Sequence, residues 1–460
     1  MTDMLNEMTE EMRDELSQQT KQLVTSLTNG AQEAFLDGFD ALHLYDKAVF
    51  YVTLPSELRH QIIAWLTPTE LADIFDEIEP ETVFAEHLLE EMSPRYAAQM
   101  LDKMYTDNSV DLFEAMDHND LTNYLALMPK PEANEIRTLL NYEDDTAGSL
   151  MGTDYVAINQ NLTIGQAMAN VKKAAQEAEQ ITYIYVVDDD DILVGVISLR
   201  ALIIWPDEAS VIAAMNTNLI TVAPTDDQED VARLMADYNF VSIPVVLKQH
   251  LIGIITVDDI VDVIDEEAAE DYSRLAGVDV VNLEENPLKS ALKRLPWLIG
   301  LIFLGMGTAT VIDGYDRLVQ QASILAVFIS LITGTAGNAG TQSLAVSVRR
   351  LALQESNSLW RMLLTEVLIG LMIGLTAGTT IFLVVWLWKS NMLLGVAVGL
   401  AMGVAILIAN VAGAFIPLLM DKIGVDPAVA SGPFISTLSD LTSVIIYFNI
   451  AGLFISHFTQ

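Results

Sequence analysis

One aspartate stands alone in the last long apolar segment of the chain. Asp440 is the single acidic residue of the segment Ala428 to Phe458, and a carboxylate at membrane depth is costly unless it faces a partner or a wet cavity. Ser436 and Ser443 lie at helical spacings from it, so one face of a helix here is polar. A serine or asparagine would make a helix–helix hydrogen bond at lower cost. We therefore interpret Asp440 as an ion-handling group.

A second set of polar side chains lies in an earlier apolar segment. Asn338 and Gln342 are four residues apart, on one face of a helix, and Gly337 beside them allows close backbone approach. Small residues with amides are also common in helix–helix packing. Taken alone, the segment fits either a packing interface or a second wall of a pore beside Asp440.

The charges of this 460-residue chain are unevenly distributed. From residue 286 onward there are 7 acidic and 9 basic residues, whereas the first 285 residues contain 56 acidic and 14 basic residues. Such an anionic half excludes nucleic acid and anionic lipid as partners and favours cations. The absence of cysteine excludes disulfides and thiolate metal sites. The polar, acidic N-terminus predicts no cleavable signal peptide.

The second half is typical of a protein embedded in the lipid bilayer. Its apolar segments are each long enough to cross a hydrocarbon core of about 30 Å, which takes about 20 helical residues. Arg349, Arg350 and Arg361 cluster between the second and third segments, so this loop and the N-terminal half are predicted to be cytosolic and the C-terminus outside. The five segments are approximately 296–313, 322–348, 360–388, 391–420 and 428–457.

Residues 1–145 are predicted to form an acidic, all-α superhelical domain of short stacked helices. Leu66-Thr-Pro-Thr-Glu70 and Met92-Ser-Pro-Arg95 each place a polar residue and a proline before an apolar-periodic run. A capping residue followed by proline in the first turn is how helices begin. The repeated short units indicate a small α-solenoid.

Residues 146–258 have a different sequence pattern. A helical stretch is followed by β-branched runs at Tyr183–Val187 and Leu193–Ile197, which predict strands. The pattern recurs about 58 residues later. The tandem resembles a pair of cystathionine-β-synthase-type (CBS) domains, α/β regulatory modules that often bind adenine nucleotides. The second copy keeps the family's ribose-binding segment as Gly253-Ile-Ile-Thr256-Val-Asp258-Asp259, but the first has Ala201 in place of the aspartate. That departure puts nucleotide binding, and a role for Thr256 in it, in doubt.

Residues 259–290 are predicted to form an acidic connecting helix, or plug helix. Ile260, Val261, Val263 and Ile264 supply an apolar stripe, while Asp259, Asp262 and Glu266 lie on one face. Adjacent carboxylates repel each other on a helix surface. We expect a cation to relieve this repulsion.

The order of parts resembles the MgtE family of magnesium transporters, from the acidic helical domain through the CBS pair and connecting helix to a five-helix transmembrane domain at 291–460. The resemblance covers nearly the whole chain. Its most specific residues are Pro296-Trp297, the segment Gly337-Asn338-Ala-Gly-Thr-Gln342-Ser, and the fifth-span segment Asp426-Pro-Ala-Val-Ala-Ser-Gly-Pro433 with Asp440 and Tyr447-Phe448. The family's Gly-Gly-Asn element is Ala336-Gly337-Asn338 here.

The resemblance implies a homodimeric, Mg²⁺-selective channel of the cell membrane, with spans two and five of both subunits lining the pore. Asp440 matches the family's central ion-site carboxylate and Asn338 its pore asparagine. Mg²⁺ sheds water reluctantly and prefers oxygen ligands, so two carboxylates suit a largely hydrated ion. The lack of histidine between Pro296 and Asn449 argues against a soft-metal path.

The resemblance also implies that cytosolic Mg²⁺ bridges the acidic parts and closes the pore. The carboxylates would repel each other at low Mg²⁺ and pack together once neutralised. At Asp426, before a proline, capping of the fifth span is an equal alternative. The positions that match this sensing role are Asp107, Asp111, Asp226, Asp259, Asp262, Glu267, Glu270, Asp271 and Asp426.

An enzyme and an ion-coupled carrier are the two alternatives to a channel. The sequence has no Ser/His/Asp set, phosphate loop or histidine-rich metal site, and an enzyme is therefore not predicted. The alternative is an ion-coupled carrier for Co²⁺, Ni²⁺ or Mg²⁺ with nucleotide regulation through the CBS pair, because Asp440 also suits a proton relay. Dependence of the Mg²⁺ flux on a proton or Na⁺ gradient distinguishes this carrier from a channel.

Overall fold

The computed structural model describes residues 10–78, 85–114, 116–175, 178–278, 287–352, 359–423 and 431–454. The chain divides into two compact units, Met1–Ile264 and Asp265–Gln460. The first unit contains the acidic helices and the CBS pair. The second contains the end of the connecting helix and the apolar helices.

The N-terminal part is built from short helices that begin where the sequence predicts. Thr67 accepts a hydrogen bond from the backbone N–H of Glu70, whose carboxylate accepts one from the N–H of Thr67 at 2.7 Å, and Pro68 occupies the first turn. Ser93 caps another helix by accepting from the N–H of Tyr96 at 3.3 Å. The helices are α1 Glu10–Thr28, α2 Gln32–Asp40, α3 Leu44–Thr53, α4 Ser56–Trp65, α5 Pro68–Phe75, α6 Ala85–Glu90, α7 Pro94–Leu101, α8 Thr106–Glu114, α9 His118–Leu127 and α10 Lys130–Leu139.

The CBS pair contains a three-stranded and a two-stranded sheet. In the first sheet, the outer strands flank β2, which pairs parallel with β1 and antiparallel with β3. The two copies meet at a buried contact between Tyr185 Oη and Ser242 Oγ, 3.0 Å apart, with Ile254 packed nearby. The elements are α11 Ala147–Leu150, β1 Tyr155–Asn159, α12 Ile164–Ala174, β2 Gln180–Val187, β3 Leu193–Ser198, α13 Leu199–Ile204, α14 Val211–Ala214, α15 Gln228–Tyr238, β4 Ser242–Leu247 and β5 His250–Thr256.

The connecting helix, α16, runs over Val257–Ala276 and is shorter than the predicted 259–290. Gly277 ends it with a φ of +68°, which glycine adopts without strain. A Cβ added there would lie 2.5 Å from Nε1 of Trp297, so the close approach also needs glycine. The domain boundaries at 145/146, 258/259 and 290/291 stay predictions.

Five helices among the described residues are long and apolar enough to cross a membrane. Glycines let three of them approach backbone to backbone, since a Cβ at Gly374 would lie 2.5 Å from the carbonyl oxygen of Gly403, and one at Gly413 2.2 Å from that of Gly340. The spans are α17 Pro287–Gly314, α19 Ala326–Ala352, α20 Leu359–Lys389, α21 Met392–Lys422 and α22 Gly432–Leu453, with the short α18 Asp316–Gln321 after the first.

Candidate metal centre and ion pathway

Three carboxylates from distant parts of the first unit converge in one cluster. Asp107 lies on α8, Glu179 directly before β2, and Asp259 in the first turn of α16. One oxygen of each lies within 4.8 Å of the others. Asp107 is buried and the other two are partly buried. The three side chains form the carboxylate cluster.

Hydrogen bonds at the start of α8 hold Asp107 against the CBS pair. The N–H and the hydroxyl of Thr106 both donate to Oδ2 of Asp154, at 2.7 and 2.6 Å. The hydroxyl of Thr153 donates to that of Thr106 at 2.9 Å. Asp107 itself accepts from the N–H of Asn108 at 2.8 Å. The cluster is therefore built across a fixed contact between the helical domain and the first CBS copy.

Gly152 provides the room for the cluster. A Cβ at this position would lie 2.7 Å from Oδ2 of Asp107 and 3.3 Å from Oε2 of Glu179. The segment around Gly152 is held in place because its N–H and carbonyl exchange hydrogen bonds of 2.9 Å with the backbone of Ile254. A side chain here would displace both carboxylates.

The electrostatics of the cluster oppose three negative charges. Burial, followed by the charges of Asp259 and Glu179, holds the pKa of Asp107 well above its usual range. Burial and the charges of Asp259 and Asp258 raise the pKa of Glu179 to about 8. Burial raises the pKa of Asp259 to about 6, against hydrogen bonds from Thr256 that lower it. Near neutral pH this packing favours a bound cation or proton.

The donor set fits a hard divalent cation. All three ligand groups are carboxylates, which Mg²⁺ and Ca²⁺ prefer. Within the described part of the chain, Oε2 of Glu179 is buried without a hydrogen-bond partner. A buried acceptor without a partner is costly, and a cation would satisfy it.

The structure brings two of the nine predicted sensing residues, Asp107 and Asp259, into the cluster. Of the others, Asp111, Asp226 and Asp262 are exposed, and Oδ2 of Asp226 accepts from the N–H of Ala223 at 2.8 Å. The remaining described positions, Glu267, Glu270 and Asp271, lie further along α16, and Asp426 lies outside the described residues.

Two of the later positions on α16 have basic neighbours. Glu270 forms an ion pair with Arg274, one turn along. Burial raises the pKa of Asp271, while the charges of Arg274 and Arg349 lower it. These carboxylates are thus partly compensated by the chain itself, unlike those of the cluster.

Sequence reasoning missed Glu179, because no acidic run or helical spacing connects it to its partners. It also considered Thr256 for a nucleotide site and left that role in doubt. In the structure, the N–H and hydroxyl of Thr256 donate to Oδ2 of Asp259 at 2.8 and 2.7 Å. Thr256 therefore orients Asp259, a member of the carboxylate cluster.

In the second unit, α19 and α22 pack closely beside the predicted ion-pathway residues. A Cβ at Gly337 would lie 2.7 Å from Oγ of Ser436. The neighbouring Asn338 and Gln342 are exposed, and Asp440, one turn after Ser436, is half-buried. The polar faces of the two helices thus lie next to each other.

The later residues of the polar face of α22 are packed inside the chain. Ser443 is buried, and its hydroxyl has no hydrogen-bond partner among the described residues. Tyr447 is also buried, and its hydroxyl donates to the carbonyl of Leu325 at 2.8 Å. Within one chain, the accessible part of this face is therefore Ser436 and Asp440.

The end of α16 packs against the same two spans. Leu275 contacts a small apolar cluster formed by Leu344 and Val348 of α19 and Ile435 of α22. A Cβ at Gly432 would lie 3.3 Å from the carbonyl oxygen of Leu275. Movement of the end of α16 would therefore act directly on the C-terminal part of α19 and the N-terminal part of α22.

A second carboxylate of the membrane half, Glu366 on α20, was missed by the sequence analysis. It is only 2% exposed and accepts hydrogen bonds from the Ser343 hydroxyl and the Asn410 side-chain amide, both at 2.9 Å. Its signal in the sequence was a lone acidic residue in the apolar segment 360–388.

The comparisons identify the class as a membrane-spanning divalent cation transporter that also has an N-terminal helical domain and a CBS pair. The divalent cation transporter profile of MgtE matches residues 329–450, the MgtE intracellular N domain matches 42–145, and the CBS domain matches 147–208 and 209–266. The chain belongs to the MgtE family. The predicted family and fold class are confirmed.

Named relatives are similar over almost their whole length. The magnesium transporter MgtE of Enterococcus faecalis is 54% identical over 447 residues, which cover 96% of this chain and 99% of the relative. The protein of the same name from Bacillus subtilis is 36% identical over 94% of this chain and 96% of the relative. A crystal structure of the soluble part of a magnesium transporter is 46% identical, with a TM-score of 0.54, and covers 55% of this chain and 100% of that one.

Proposed function

We propose that the chain forms a homodimeric, Mg²⁺-selective channel that cytosolic Mg²⁺ closes. The observation that carries the proposal is the position of Asp440, half-buried on α22 one turn after Ser436, which packs against Gly337 of α19 beside the exposed Asn338. A membrane-embedded carboxylate that is accessible and flanked by hydroxyl and amide groups suits a cation path.

The cargo is a hydrated Mg²⁺ ion. Mg²⁺ binds few carboxylates and keeps several waters, so one Asp440 from each subunit provides enough negative charge. Asn338 and Gln342 are exposed in the single chain and are free to face the pore in the dimer, where their amides would contact the ion's water shell. The pore is thus shared by the two subunits.

The carboxylate cluster is the proposed sensor. A bound Mg²⁺ supplies the positive charge that lets Asp107, Glu179 and Asp259 remain close together while ionised. Without it, their mutual repulsion favours separation of the helical domain, the first CBS copy and the start of α16. The other end of α16 packs through Leu275 against the ends of α19 and α22, which gives the sensor a mechanical connection to the pore.

The proposed function also sets the orientation of the chain in the membrane. The sensor responds to cytosolic Mg²⁺, so residues 1–290 lie in the cytosol and, with five spans, the C-terminus lies outside. Binding of a nucleotide at Thr256 is not included, since its hydroxyl already bonds Asp259 and the first copy has Ala201.

Mg²⁺ uptake into proteoliposomes tests the channel. We expect Asp440→Ala to abolish most of the uptake, because the site loses both carboxylates of the dimer. Thr442→Ala is the matched control, since the Thr442 hydroxyl bonds the backbone of its own helix. Unchanged uptake by a correctly assembled Asp440→Ala dimer would refute the assignment.

The same vesicles separate a channel from an ion-coupled carrier. A channel moves Mg²⁺ down its own electrochemical gradient, whatever the proton or Na⁺ gradient. Uptake that follows an imposed proton or Na⁺ gradient at constant voltage would instead favour the carrier, with Asp440 as a proton relay.

A further inference from the structure

The buried carboxylate of Glu366 has no part in the proposed ion path or in the sensor. It lies on α20, a span that contributes none of the predicted pore residues, and is only 2% exposed. An acidic side chain inside a membrane segment is costly and usually functional. Its contacts show what it holds together.

Glu366 joins three spans through one oxygen. Oε2 accepts hydrogen bonds from the hydroxyl of Ser343 on α19 and from Nδ2 of Asn410 on α21, each at 2.9 Å. The Ser343 hydroxyl also lies 2.8 Å from the carbonyl oxygen of Asn410, and Asn410 Nδ2 lies 3.3 Å from that of Glu366. The other oxygen, Oε1, is 3.8 Å from Nη1 of Arg350, near the end of α19.

These contacts hold α19 on a side of the helix away from its polar face. At about 100° per residue, Ser343 and Arg350 lie roughly 100–120° around the helix from the midpoint of Asn338 and Gln342. Ser343 is 3% exposed, whereas Asn338 and Gln342 are exposed. A rotation of α19 that breaks the bonds to Glu366 would also turn the two amides.

We propose that Glu366 is a positioning residue of the ion pathway, whose buried carboxylate holds α19 at the rotation that presents Asn338 and Gln342 to the ion. The inference rests on the proposed function, in which these two amides contact the hydrated Mg²⁺. A carboxylate suits this role because it accepts from both Ser343 and Asn410 while pairing with Arg350. Glutamine retains an acceptor oxygen but loses the charge that faces Arg350.

Single-channel recording of the purified dimer in planar bilayers tests the inference, because conductance per channel is independent of the amount of folded protein. We expect Glu366→Ala to lower the Mg²⁺ conductance by about five- to tenfold and to reduce the preference for Mg²⁺ over Ca²⁺. Glu366→Gln should lie between Glu366→Ala and wild type. Thr376→Ala, on the same helix with its hydroxyl bonded to its own backbone at Met372, should match wild type.

Ser343→Ala provides a second route to the same result. It removes the bond from α19 and leaves Glu366 in place, so it should reproduce part of the conductance loss, and combining it with Glu366→Ala should add little. If Glu366→Ala does not assemble, Glu366→Gln and Ser343→Ala carry the test. Wild-type conductance and selectivity in these variants, with only fewer channels, would show a purely structural role and overturn the inference.

The Asp440→Ala dimer in the same recordings separates the two proposals. If Asp440→Ala conducts like wild type, the proposed function is wrong. If Asp440→Ala is silent and the Glu366 and Ser343 variants conduct normally, the ion path stands and only the positioning role of Glu366 is refuted.

Discussion

At the scale of single residues, the three side chains of the carboxylate cluster stay close together in their ionised form only when a cation compensates their charges. Asp107 is buried, and its charge faces those of Glu179 and Asp259. Such a group stays ionised near neutral pH only when a cation compensates it. A pocket of this kind converts the concentration of a cation into the stability of a contact.

Gly152 gives a sharp test of the sensor that leaves every ligand in place. Gly152→Ala puts a methyl group 2.7 Å from Oδ2 of Asp107, and the carboxylates must move apart. Displaced supports of metal ligands cost about 10- to 100-fold in affinity, so half-closure of the channel should need a correspondingly higher cytosolic Mg²⁺ concentration. The measurement is Mg²⁺ flux in inside-out patches as a function of that concentration.

Gly38→Ala is the control for this prediction. Its added methyl would meet only the Leu23 side chain, at 3.0 Å, and no member of the carboxylate cluster. A Gly152→Ala channel that closes at the wild-type Mg²⁺ concentration would show that the cluster is not the sensor.

The raised pKa of Asp76 predicts that the stability of the folded chain depends on pH. Burial raises its pKa to about 7, although Asn108 and the N–H of Tyr105 donate hydrogen bonds to it. The folded state therefore binds the proton more tightly than the unfolded chain. The resulting stabilisation is fully present below the ordinary value of about 4 and is lost as the pH rises through about 7.

Asp76→Asn should abolish this contribution, because the amide retains the acceptor oxygen and carries no charge. In the presence of a Mg²⁺ chelator, we expect the variant to unfold at a higher temperature than wild type at pH 8 and at a similar temperature at pH 4. Thermal unfolding of the full chain in detergent measures both midpoints. An equal difference at the two pH values would contradict the raised pKa.

Which residues the sequence could identify depended on how local their signal was. Asp440, Asn338 and Gln342 are polar in apolar segments, and the structure leaves them accessible or half-buried. Glu179 has no such signal, because only the tertiary fold brings it to Asp107. The sensing role of each of these carboxylates stays a prediction.

At the scale of elements, the sequence predicted that the connecting helix α16 exists but not where it ends. Its predicted apolar stripe is only half correct, because Ile260 and Val263 are buried whereas Val261 and Ile264 are exposed. Its end at Ala276 depends on Gly277 and on the approach of Trp297, which is a tertiary contact. The short N-terminal helices were easier, since their caps and prolines are local signals.

Leu275 tests whether α16 acts on the pore. Leu275→Ala removes part of the contact with Leu344 and Ile435, which is worth about 1 kcal/mol or roughly fivefold in an equilibrium constant. Closure by cytosolic Mg²⁺ should weaken by that factor, while the conductance of the open channel stays unchanged. Patch recordings over a range of Mg²⁺ concentrations check both quantities.

Val261→Ala is the matched control on the same helix, because Val261 is 60% exposed. Equal Mg²⁺ sensitivity in the two variants would mean that the end of α16 does not transmit closure.

At the scale of the whole molecule, the distribution of charge separates two tasks. The first 285 residues contain 56 of the 63 acidic residues, and the membrane half is nearly neutral. An anionic soluble half concentrates cations near its own surface, while the predicted ion-pathway residues of one chain include a single carboxylate, Asp440. In the proposed function, a symmetric partner contributes a second Asp440 to this path.

A mixed dimer decides whether the two subunits share one pore. Wild-type and Asp440→Ala chains with different affinity tags are expressed together, and two successive purifications isolate the dimer that has one of each. If each chain had its own path, this dimer would keep half of the wild-type Mg²⁺ conductance. In a shared pore both carboxylates face the same hydrated ion, and losing one lowers the conductance of the whole dimer well below half. Single-channel recordings distinguish the outcomes, because separate paths would give one normal conductance level per dimer and a shared pore a single reduced level.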